Sequence, residues 1–239
     1  TAPASRCCAP TAAGFTPCSS RRPPNPKPVL KTLLAKNRAA HYAIAALIGA
    51  SGVLCFAPFE LFWLAPAVWL GLFVLLRSAD SAKQAALTGL SFGLGFFLTG
   101  VSWVYVSLSV FGGMPWWLAG IAAFLFCSVM ALFPSLAGWI FKRWQPAAPW
   151  RQALLFAVLI AAVDWLRSWI FTGFPWLAVG YSQAPPSPLA GFAPLFGVHG
   201  LSLLVALSGA LLLRWRVGLG FIAIATASLP GFFGSPALA

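Results

Sequence analysis

The sequence predicts an all-α, polytopic transmembrane helix bundle of about seven spans, with its N-terminus in the cytoplasm. Three observations carry that prediction. Hydrophobic residues make up 60% of the 239-residue chain and charged residues only 8%, against roughly 25% charged residues in soluble domains. The apolar residues fall in long continuous runs, without the alternation of barrel strands. The Lys and Arg residues collect in every second gap between those runs, as the positive-inside rule requires. A surface with so few charges cannot be solvated by water alone, and a bilayer removes that requirement.

The elements follow in order. Residues 1–38 are rich in Pro, Ala and Ser and contain no acidic residue. No apolar run there is long enough for a packed core, so the segment reads as a disordered basic tail. No signal-peptide core precedes the first span. The chain then alternates between apolar runs and short polar gaps. The runs are 39–56, 61–76, 85–111, 115–141, 150–171, 189–213 and 217–233. They make one bundle over 39–234, with 235–239 as the start of a linker. A helix needs roughly 20 residues to cross the hydrocarbon. The second and seventh runs are short and contain Pro66 and Pro230, whereas the third and fourth are long enough to tilt.

Orientation follows from charge. With the tail inside, the inner gaps hold Arg77, Lys83, Lys142, Arg143, Arg214 and Arg216, and Arg151 lies just inside the fifth run. Together with the tail residues, that places 14 of the 15 Lys and Arg on one side. The outer gaps, 57–60, 112–114 and 172–188, hold none. The net charge of +12 therefore reflects membrane topology. Its basic residues form no single face, so a nucleic-acid footprint is excluded.

Few residues can carry chemistry. Asp164 and Arg167 are three apart, lie on one helix face and can pair. Ionisable groups within a span usually face a bundle interior or a wet cavity. Either they form a headgroup-positioning site near the outer leaflet, or they are a structural ion pair holding a loop. Three outer segments are rich in aromatic residues: Phe56 to Glu60, Trp103 to Gly113, and Gly173 to Gln183. They form either an ordinary interfacial belt or a cavity for acyl chains and a headgroup. The candidate substrate-binding residues are Trp103, Tyr105, Asp164, Arg167, Phe174, Trp176 and Tyr181. His199 has no carboxylate near it in sequence and reads as a packed histidine. Gly89 and Gly93 have the GxxxG spacing that permits close helix approach, and ordinary bundle packing accounts for them. Of five cysteines, Cys55 and Cys127 lie in apolar runs, and none belongs to a paired CxxC pattern, so no metal site is expected. There is no Walker A loop, GxSxG elbow or HExxH.

Several separated strings resemble one family. They are Phe56–Ala57–Pro58–Phe59, Gly100 to Ser107, Phe111–Gly112–Gly113–Met114–Pro115, Trp165–Leu166–Arg167, Thr172 to Trp176, Gly180–Tyr181–Ser182–Gln183, and Ala193–Pro194–Leu195 with Gly197–Val198 and Leu201–Ser202. In order and spacing they are similar to the N-terminal membrane part of bacterial apolipoprotein N-acyltransferases. The position of Asp164 is more often Glu in that family. The resemblance implies a bundle in the bacterial inner membrane carrying a periplasmic nitrilase-like domain. It implies transfer of an acyl chain from a phospholipid donor to the N-terminal S-diacylglyceryl cysteine of an apolipoprotein, with no cofactor. It also implies a Cys nucleophile, a Glu base and a Lys beside the intermediate. None of those three is found in this sequence, so no catalytic residue is assigned. The chain alone, ending at Ala239, is expected to be inactive. Two rivals are a small lipid transporter or permease, which would show an inverted repeat, and a membrane platform fused to a polyprenol-phosphate glycosyltransferase. No convincing repeat is visible.

Overall fold

The computed structural model describes residues 38–170, 173–184 and 187–214. Among them every regular element is helical. The helices are α1 (Arg38–Ser51), α2 (Ala65–Ser78), α3 (Ala82–Gly100), α4 (Trp103–Val106), α5 (Trp116–Arg143), α6 (Pro149–Arg167) and α7 (Ala193–Leu211). Four helical segments are long and apolar enough to cross a membrane: Arg38–Cys55, Trp116–Arg143, Pro149–Arg167 and Pro188–Leu211. The bent pair Ala82–Gly100 and Trp103–Phe111 makes a fifth if counted as one span. The chain is thus a multi-pass membrane protein.

The described residues do not confirm a count of seven spans, and the limits of three of the runs shift. The second, read as 61–76, is the shorter apolar helix Phe62–Ser78, which begins with a tight turn before Pro66 enters α2. The third, read as one run over 85–111, breaks after Gly100 and bends by 52° into α4. Past α4 the chain makes a π-helical turn, Ser107–Phe111, before Pro115 starts α5. The fifth, read to 171, stops at Arg167. There the Phe174 N–H returns to the Arg167 carbonyl at 2.9 Å, and Gly173 turns the chain back with φ +82°. A Cβ at Gly173 would collide with the Ser168 carbonyl, so both space and backbone sign call for glycine. The seventh run, 217–233, the tail 1–37 and the linker 235–239 lie outside the described residues.

Between helices in lipid, the hydrophobic effect gives no net drive, and close packing must do the holding. α3 is the central strut. On one side a Cβ at Gly95 would strike the Ala46 carbonyl of α1, and Gly49 of α1 faces the Phe92 carbonyl just as closely. On the other side Gly89 meets the Pro134 carbonyl of α5, and Gly93 meets Ala131. Polar ties reinforce both seams. His41 Nε2 lies 3.0 Å from Thr88 Oγ1, and the Ser135 hydroxyl donates to the Ala86 carbonyl at 2.9 Å. The α3 start is fixed locally, because Ser81 accepts from the Gln84 N–H while Gln84 Oε1 accepts from the Asp80 N–H. Aromatic side chains fill what remains: Trp69, Phe92 and Phe96 form one cluster, and Phe73, Phe141 and Phe156 another.

Candidate functional site

The α6 C-terminus carries Asp164 and Arg167, and the structure pairs them: Arg167 Nη2 donates to Asp164 Oδ1 at 3.1 Å. Arg167 is 2% exposed and Asp164 6%. A buried ion pair survives only if its remaining hydrogen-bonding capacity is used. Here Arg167 Nη1 donates to the carbonyls of Phe174, at 2.6 Å, and Trp176, at 2.5 Å. Asp164 Oδ2 accepts from the Val179 N–H at 2.8 Å and from the Ser202 hydroxyl at 2.9 Å. Ser202 Oγ in turn accepts from the Gly180 N–H at 2.9 Å. The guanidinium also lies 5.3 Å from the centre of the Phe97 ring. One acid and one base thus join α6, the returning segment 173–180, α7 and α3. A cavity of about 20 Å³ adjoins the pair, lined mostly by apolar side chains such as Phe97, Phe133 and Ile160.

The clamp fixes a surface that is mainly aromatic. Trp176 is 55% exposed, its ring stacked with Phe174 at 5.8 Å and tilted against Trp103 at 5.9 Å. Phe174 meets Phe126 of α5 edge-on at 4.8 Å. Trp103, Phe174 and Trp176 are therefore brought together. Tyr105 lies farther along the α4–α5 hairpin, where it lines an open groove of about 480 Å³ with Trp116, Trp117, Ile121, Phe124 and Leu125. Tyr181 is exposed, on the short turn Val179–Gln183. In the first outer segment, Phe56 turns inward onto Phe96 while Phe59 stays exposed.

Sequence reasoning missed Phe97, Phe126 and the bridging role of Ser202. Nothing local marks a phenylalanine in an apolar run as the floor under an arginine. Ser202 carries a weak signal, a hydroxyl within a span that has to find a partner. Leu177, unremarked in sequence, has φ +58°, an uncommon backbone for a bulky residue, and sits between Trp176 and the clamp. Cys55 and Cys127 are buried, and the Cys127 thiol lies 3.6 Å from the Phe97 carbonyl. Among the described residues no group of three potential metal ligands occurs. Changing Ser202 to alanine removes a donor from Asp164 and the acceptor from Gly180. The expected loss is ~1–3 kcal/mol of stability, read as a lower unfolding midpoint in detergent.

Fold and site together define a polytopic membrane helix bundle with an aromatic surface pinned at one end. The profile of the apolipoprotein N-acyltransferase N-terminal domain matches residues 48–211. Relatives named apolipoprotein N-acyltransferase match the chain as well. The one from Nitrosomonas europaea is 52% identical over 169 residues, covering 70% of this chain and 34% of its own length. That from Ralstonia nicotianae is 40% identical, covering 78% and 38%. That from Chromobacterium violaceum is 40% identical, covering 87% and 40%. The chain belongs to the apolipoprotein N-acyltransferase N-terminal domain family. It spans roughly a third to two-fifths of the length of these curated relatives.

Proposed function

We propose that this chain is the membrane part of a phospholipid:apolipoprotein N-acyltransferase of the bacterial inner membrane, with its N-terminus cytoplasmic. Its task is to present acyl chains at the outer end of the bundle. The donor is a phospholipid and the acceptor the S-diacylglyceryl cysteine of an apolipoprotein; nucleic acid has no part, and no cofactor is required. The observation that carries this reading is the ladder Trp103, Trp176, Phe174 and Phe126 beside the α4–α5 groove. A groove of this volume lies within the roughly 300–1,000 Å³ of ordinary ligand sites. Its apolar lining suits acyl chains.

Asp164 and Arg167 act in this reading as positioning residues. The Arg167 guanidinium is engaged by Asp164 and two carbonyls, and it is buried. Its service is to set the segment bearing Trp176, with the lipid contact left to the rings. The aspartate neutralises the arginine at little geometric cost.

The test is a chimaera in which residues 39–214 replace the matching segment of the Nitrosomonas europaea relative. N-acylation is followed as the mass gain of a diacylated lipoprotein. The chimaera is expected to transfer acyl chains. Trp103→Ala with Trp176→Ala should lower kcat/KM for the phospholipid about tenfold, the equivalent of ~1.4 kcal/mol of lost contact. Unchanged kinetics in the folded double variant would sink the aromatic reading. A folded chimaera that transfers nothing would sink the assignment itself.

A further inference from the structure

The opposite end of the bundle carries a second arrangement of aromatic and charged groups. The α2–α3 turn and the α5–α6 turn meet there, because Lys142 Nζ reaches the Arg77 carbonyl at 3.4 Å. The α5–α6 turn is short and internally fixed. Lys142 Nζ donates to Gln145 Oε1 at 2.9 Å, and Gln152 Nε2 donates to the Pro146 carbonyl at 2.7 Å. On either side of this turn stands the same pair of residue types. Arg143 is followed by Trp144 at the end of α5, and Trp150 is followed by Arg151 at the start of α6. All four side chains are exposed.

Neither arginine makes an ion pair or a side-chain hydrogen bond with the described residues. Of the three carboxylates in the chain, only Asp80 lies at this end, and it belongs to the α2–α3 turn. The Arg151 guanidinium lies over the Trp150 ring, 5.1 Å from its centre. A guanidinium held by its face keeps its N–H edges free, and those edges form the fork that fits two oxygens of a phosphate. Exposed tryptophans settle at the level of lipid headgroups, which places the two arginines at phosphate depth.

We propose that Arg143, Trp144, Trp150 and Arg151 form a binding site for the phosphate of an anionic phospholipid, distinct from the acyl-chain surface at the other end. The occupant is a lipid and not a free anion, because both tryptophans expose apolar ring surface beside the charges. The arginines supply the fork, and the rings cover the upper acyl chains. The inference rests on the membrane-spanning fold alone and is independent of the acyltransferase reading or of which side this end faces.

The test uses the purified full chain in neutral detergent. Its unfolding midpoint is measured with added phosphatidylglycerol, phosphatidylcholine or inorganic phosphate. Phosphatidylglycerol should raise the midpoint by about 4 °C, a shift typical of a ligand well above its Kd. The other two should raise it by less than about 1 °C on the same scale. Arg143→Gln with Arg151→Gln should remove at least half of the shift. Lys83→Gln, at the same end but outside the turn, should retain it. The single arginine variants, each expected to lose part of the shift, serve if the double variant does not fold. Equal shifts with phosphatidylcholine, a full shift with phosphate alone, an equal loss in Lys83→Gln, or an unchanged shift in the folded arginine variants would each overturn the proposal.

Discussion

Replacing Arg167 with alanine should lower the unfolding midpoint of the detergent-solubilised chain by about 10 °C. The substitution leaves Asp164 buried with the Val179 N–H and the Ser202 hydroxyl but no cation. It also strips the donor from the carbonyls of Phe174 and Trp176. Removing one member of a buried pair costs ~3–5 kcal/mol. For a domain of this size each kcal/mol moves the midpoint by about 2–4 °C. Arg167→Lys should recover only part of the loss, since an ammonium lacks the planar fork that reaches an acid and two carbonyls together. The paired change Asp164→Leu with Arg167→Met should be less damaging than the two single losses summed, by at least ~1 kcal/mol, because no uncompensated charge is left. A midpoint shift below about 2 °C for Arg167→Ala would show that the clamp does not hold the segment.

The clamp also shows how far the sequence could be read. Spacing alone gives the contact between Asp164 and Arg167, because residues three apart on a helix are neighbours. It does not give the Phe174 and Trp176 carbonyls, which reach Arg167 only because the chain reverses at Gly173. Whether a membrane arginine faces a lipid phosphate or a protein carbonyl is decided by that reversal, and a hydropathy pattern does not encode it. The helical class was legible because continuous apolar runs admit no other spanning structure. Span limits were not: Val101 is as apolar as the run around it, and Ser168 is a single polar residue followed at once by Trp169 and Ile170, so hydropathy marks neither interruption. Val101 leaves the helix with φ −118° and ψ 17°, and its side chain is wholly buried. Packing, not composition, sets that bend.

The aromatic residues were legible as a class and not as a partnership. Three outer segments look alike in sequence, yet the structure joins Trp103 to Trp176, which stacks on Phe174, and it turns Phe56 into the core. The surface depends on the clamp. Trp176 is the residue whose carbonyl Arg167 holds, so the ring facing outward is placed by an ion pair facing inward. A change at Arg167 mild enough to leave the fold intact should therefore alter lipid handling without any lost lipid contact.

Gly89→Leu and Gly95→Leu should each prevent α3 from seating and abolish the folded state, whereas Gly120→Leu should leave the midpoint within about 2 °C of the parent. All three glycines lie in apolar helices, and sequence spacing singles out only the first. A side chain at Gly89 would enter the Pro134 carbonyl of α5, and one at Gly95 would enter the Ala46 carbonyl of α1. Backbone cannot yield as a flexible side-chain tip can, so the helices must part. Overpacking a core costs ~1–3 kcal/mol even where neighbours can adjust. Here a whole seam opens, and the polar ties that flank it, Ser135 to Ala86 and His41 to Thr88, open with it. Nothing lies within 4 Å of a Cβ at Gly120. Its leucine variant gains helix propensity worth ~0.5–1 kcal/mol. Size-exclusion profiles and unfolding midpoints of the three variants read the difference. Folded Gly89→Leu and Gly95→Leu proteins with parental midpoints would mean that α3 is not packed between α1 and α5 backbone to backbone.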